Sequence, residues 1–189
     1  MPITLSPEQE AQIQQDTQTW LERAVIGLNL CPFAKSVHVN GRLRTVVSLA
    51  DTPEDLLRDL ARELLALRRA DPEELETTLL VHPGVLTDFL DFNDFLDAAD
   101  GLIDELELGG ELQVASFHPD YQFAGTELDD ISNFSNRSPY PTLHLLREDS
   151  IERAAASMPD TDAIYEANIA TLEKLGLEGW QALGLKTRG

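Results

Sequence analysis

The strongest constraint on the fold is an alternation between two hydrophobic periods. Thr45-Val46-Val47-Ser48-Leu49 and Thr77-Thr78-Leu79-Leu80-Val81 are β-rich runs of strand length. Between them Thr52-Pro53-Glu54-Asp55 opens a helix whose Leu56, Leu57, Leu60, Leu64, Leu65 and Leu67 form an apolar stripe. A further helix, from about Asp88 to Leu106, places Phe89, Phe92, Leu96, Ala99 and Ile103 on one face before a third strand, Leu112–Phe117. Strands joined by helical crossovers run parallel. The fourth strand, Pro141 to Leu146, follows a connection with no crossover helix, which favours an antiparallel direction.

Ser6-Pro7-Glu8-Gln9 supplies a helix start before the first strand, with Ser at N-cap, Pro at N1 and Gln at N3. Helices from about Ser150 and Thr161, the second stopped by Gly176, complete the chain. The expectation is an α/β sandwich: one domain over residues 1–189, with a small, mainly parallel four-stranded sheet and an antiparallel fourth strand. A ferredoxin-like α+β arrangement is the alternative.

Composition narrows function by exclusion. With 14 Lys and Arg against 34 Asp and Glu, the net charge is −20, which argues against nucleic acid and anionic membrane as partners. Residues 70 to 136 hold 17 of the acids and no Lys or Arg, and Arg137 ends that stretch. The six aspartates Asp88, Asp91, Asp94, Asp97, Asp100 and Asp104 cover the outer side of the third long helix, where solvation or a cationic protein partner explains them. One cysteine, Cys31, rules out an internal disulfide, and the first residues carry no secretory signal pattern, so a cytoplasmic protein is expected.

Three segments carry a resemblance: Asn29-Leu30-Cys31-Pro32-Phe33-Ala34, Ser116 to Phe123 (SFHPDYQF), and Asn136 to Glu148 (NRSPYPTLHLLRE). Together they resemble an uncharacterised bacterial domain-of-unknown-function family over about Trp20 to Trp180. The resemblance implies no reaction, cofactor or catalytic residue.

Candidate chemistry gathers around one predicted edge. His82-Pro83 and His118-Pro119 each follow the carboxyl end of a parallel strand, the edge where open α/β sheets bind ligands. The connection from His118 to Tyr140–Pro141 exceeds the ~12–15 residues usual for a structureless loop and is rich in aromatic and amide side chains. One reading is a small-molecule enzyme acting on an anionic substrate: His118 as general acid or base, Asp120 orienting it, and Arg137 clamping the anion beside Asn133, Asn136 and Tyr121. Cys31 is a second catalytic candidate if a helical turn from Pro32 lowers its thiol pKa. A divalent-metal version uses His82, His118 and His144. The competing class is a non-catalytic binding or interaction module that uses the acidic helices.

Overall fold

A computed structural model describes residues 1–156 and 162–187. The first helix, α1 (Pro7–Trp20), begins with the expected capping box, in which Ser6 and Gln9 exchange side-chain-to-backbone bonds. It continues as a π-helical segment, Leu21–Ile26. Then come α2 (Ala34–Val39), β1 (Leu43–Val47), α3 (Pro53–Arg69), β2 (Thr77–Val81), α4 (Phe89–Glu105) and β3 (Leu112–Phe117). A 3₁₀ helix, Ile131–Asn136, interrupts the long connection to β4 (Thr142–Arg147), and α5 (Glu148–Ala156) and α6 (Asp162–Gln181) follow. The expected start of the last helix at Thr161 lies outside the described residues.

The sheet has the order β1-β2-β4-β3. β1 and β2 pair in parallel, and β4 runs antiparallel to both β2 and β3. The chain is therefore an α/β domain with a mixed sheet, not the ferredoxin-like alternative. β4 is inserted between β2 and β3, so two strands of like direction are separated rather than adjacent. Its burial explains the position: Thr142, Leu143, Leu145 and Leu146 are all buried, as suits a central strand.

Strand alternation sends side chains to two different cores. On one face Leu80, Leu143, Leu145 and Leu112 pack against the Leu56, Leu60, Leu64 and Leu67 stripe of α3 and the Phe92, Phe95 and Ala99 stripe of α4. On the other, Leu79 and Phe117 meet Trp20, Leu21, Ala24 and Val25 of the first helical segment, with Leu172 and Trp180 of α6. Three local expectations shift. β1 begins at Leu43, earlier than Thr45, because Leu43 and Arg44 pair with Thr77 and Thr78, and it ends at Val47, leaving Leu49 exposed beyond the ladder. The helix after β4 starts at Glu148 rather than Ser150. Gly176, at φ 69°, breaks α6 without ending it: helix resumes and delivers Trp180 to the second core.

Candidate functional site

The two rim histidines do lie side by side in the fold, since Val81, Thr142 and Phe117 form one row across the sheet. The backbone N–H of His82 donates to Pro141 O, and that of His118 to Asn136 O. Both imidazoles turn to the α4 face and are fully buried. His118 packs against Phe89 and Phe92, with ring centroids 5.5 and 5.0 Å away, and His82 stacks on Phe92 at 5.7 Å.

Their hydrogen bonds fix the tautomers. Asp120 N–H donates to His118 Nδ1 at 3.0 Å, so the proton sits on Nε2, which donates to Leu86 O at 3.1 Å. His82 Nδ1 donates to Val85 O at 3.0 Å, leaving Nε2 as a buried acceptor with no partner among the described residues. The two rings thus staple the turn that follows β2, in which Leu86 holds φ at 56°. A branched residue in that region is strained and needs such support. Burial, with a smaller contribution from the nearby His118, lowers the His82 pKa to about 4. Both ring nitrogens of His118 are therefore engaged by the backbone in this arrangement, one by the amide of Asp120 and one by Leu86 O.

His144 does not join them. It points to the opposite face, lines a small apolar cavity of about 40 Å³ with Trp20, Phe117 and Cys31, and lies 5.9 Å from the Phe117 ring. Thr77 Oγ1 donates to Leu145 O and accepts from His144 Nε2, both at 2.7 Å. Burial lowers its pKa to about 4 as well. Parity along β4 separates His144 from the rim pair, and among the described residues no group of three His, Cys, Asp or Glu side chains is placed to hold a metal ion.

Cys31 also departs from expectation. It precedes α2 by a full turn, with Phe33 at the N-cap, and burial pushes its thiol up more than the N–H groups of Ala34 and Phe33 pull it down. A raised thiol is the opposite of an activated nucleophile.

The loop amides bond to the loop itself and to β3. Asn133 is fully buried; its Oδ1 accepts from Phe123 N–H and Thr126 Oγ1, and its Nδ2 donates to Glu127 O. Asn136 Nδ2 donates to Ser116 O, and its Oδ1 accepts from Ser135 Oγ. Tyr121 packs between Phe89 and Phe123 in tilted and edge-on contacts, with ring centroids 5.1 and 4.9 Å away.

Arg137 is different. Nε donates to Tyr121 O at 3.1 Å and Nη2 to Leu128 O at 2.6 Å, while the guanidinium carbon lies 4.4 Å above the Phe134 ring. These contacts fix it in place and leave Nη1 unbonded among the described residues. It faces a cleft of about 280 Å³ at the carboxyl edge of the sheet, on the α6 side, together with Trp20, Pro119, Phe134, Trp180 and Lys186. Lys186 lies in the segment after α6, with Nζ 5.0 Å from the Tyr140 ring. No carboxylate lines the cleft among the described residues.

The rim therefore divides at a single peptide bond. Pro119 lines the cleft, whereas His118 beside it turns to the α4 face and does not line the cleft that Arg137 faces. Lys186 and Trp180 were not singled out from sequence. The usable signal was that two of only three lysines and tryptophan-containing helical sequence sit near the end of an otherwise acidic chain.

Residues 12–182 match the family model described as "Protein of unknown function (DUF1415)". The chain belongs to this DUF1415 family. Comparison with curated proteins and with solved structures returns no match. Among the described residues no helix is long and apolar enough to cross a membrane.

Proposed function

We propose that this DUF1415 protein is a small-molecule-binding domain whose ligand is an anion with an apolar body, seated in the cleft between the 118–141 loop and α6. One observation carries the reading: two cations, Arg137 and Lys186, face an aromatic cleft that no carboxylate lines among the described residues, in a chain of net charge −20. Elsewhere the arginines are largely spent on acids, as in the Arg42–Glu73, Arg44–Glu63 and Arg68–Glu111 pairs. An immobilised guanidinium loses little freedom when it binds a carboxylate, sulfonate or phosphate. The cleft lies near the lower end of ligand-pocket sizes, which suits a small ligand.

The reading keeps the anionic ligand expected from sequence and moves it away from the histidine rim. Binding takes precedence over catalysis, because the rim imidazoles are buried and engaged in holding a turn. The lone cysteine and acidic surface support a cytoplasmic setting.

Both tryptophans of the chain line the cleft, so intrinsic fluorescence reports its occupancy. Titration with benzenesulfonate and with neutral benzenesulfonamide tests the reading. The anion is expected to bind at least about tenfold more tightly, a difference of ~1.4 kcal/mol. Equal affinity, or no saturable response to either, contradicts it.

A further inference from the structure

We infer that the ligand of this cleft is a dianion, and that Lys186 is the residue that reads its second charge; this rests on the anion-binding reading above. The two cations come from independent parts of the fold. Arg137 belongs to the 118–141 loop and is fixed by the carbonyls of Tyr121 and Leu128. Lys186 belongs to the segment after α6, which is tied down where Arg23 Nη1 donates to Leu183 O at 2.8 Å. Gly184, at φ 65°, turns that segment toward the cleft.

Neither cation has an acidic partner among the described residues. Arg137 rests on Phe134 and Lys186 on Tyr140, contacts that seat each cation against an aromatic ring without neutralising its charge. A monoanion seated at Arg137 leaves the positive charge of Lys186, an exposed residue on the wall of the same cleft, unmatched. A group with two negative charges neutralises both. The rest of the wall, with Trp20, Phe134, Trp180 and Pro119, offers apolar contact for the body of the ligand. The class that fits is a phosphate monoester of a small apolar group, or an apolar dicarboxylate.

Phenyl phosphate and benzenesulfonate provide a test at nearly constant shape. Both present a tetrahedral oxyanion on one ring, but only the phosphate carries close to two charges at neutral pH. In the unaltered protein phenyl phosphate should bind at least about tenfold more tightly than benzenesulfonate. In Lys186→Gln the two affinities should converge, and Lys186→Arg should restore the preference. The preference should also fade on acidification to about pH 5, where the second phosphate ionisation is lost. Glutarate, set against butyrate, asks whether a dicarboxylate meets the same two cations.

Equal affinity for phenyl phosphate and benzenesulfonate in the unaltered protein overturns the dianion inference while leaving the anion-binding reading intact. A preference that survives Lys186→Gln overturns the role of Lys186. Failure of every anion to bind better than benzenesulfonamide removes both readings together.

Discussion

His118 and Arg137 belong to the same loop, yet the fold uses them in opposite ways. The imidazole faces α4, is fully buried and has both nitrogens occupied by the backbone. The guanidinium faces α6, is partly exposed, and keeps one terminal nitrogen free among the described residues. A polar group whose hydrogen bonds are completed inside the protein supports structure. One that is held rigid with bonding capacity left over is prepared for a ligand. The difference teaches that residue type alone, even on the correct sheet edge, does not separate support from recognition.

The sharpest way to break this contrast is to remove the imidazole. His118→Ala should destabilise the protein by about 3 kcal/mol, since it opens a cavity beneath Phe89 and Phe92 and orphans Leu86 O in a strained turn. Urea denaturation measures this, and benzenesulfonate affinity at a temperature where the variant is folded should be unchanged. Next in size is Asn133→Ala, which deletes three side-chain bonds from the loop and should cost about 2 kcal/mol by the same assay.

Acid sharpens the comparison from another side. His82 and His144 are held at about 4, below their value of 6.5, chiefly by burial. Between those values the unfolded chain binds protons that the native state refuses. Stability should therefore be full above about pH 6.5 and decline as pH falls toward about 4. His82→Gln removes one of the two groups, so the slope of stability against pH between about 6.5 and 5 should become shallower. An unchanged slope would show that His82 is accessible to protons in the folded state. The smallest expected effect is at the cleft: Lys186→Gln should change stability by no more than about 0.5 kcal/mol, because the side chain is not part of a buried bonding network.

Much of the fold is legible in the sequence because local signals and tertiary burial agree. The Ser6 capping box, the α3 leucine stripe and the β-rich Thr77–Val81 run each specify an element that forms as expected. The antiparallel sense of β4 also follows from the connection that precedes it. Its insertion between β2 and β3 does not, because strand order is set by long-range pairing that no local pattern encodes. The same cause divides the site. The common rim of His82 and His118 follows from two parallel strands, but the face each residue occupies depends on where α4 and α6 pack. The place of Lys186 is hidden for a further reason, although its rarity in the chain marks it: it reaches the cleft through the helix that continues beyond Gly176 and the turn at Gly184.

If ligand recognition occurs on the Arg137–Lys186 side of the rim and not on the histidine side, the two sides respond differently to a bound anion. Two-dimensional NMR of the protein titrated with phenyl phosphate tests it directly, since the chain has only two indole N–H groups, from Trp20 and Trp180. Saturable shifts of those indole signals, with the His82 and His118 ring signals unmoved, are the predicted result. Shifts confined to the two imidazoles, with both indoles unchanged, would contradict it.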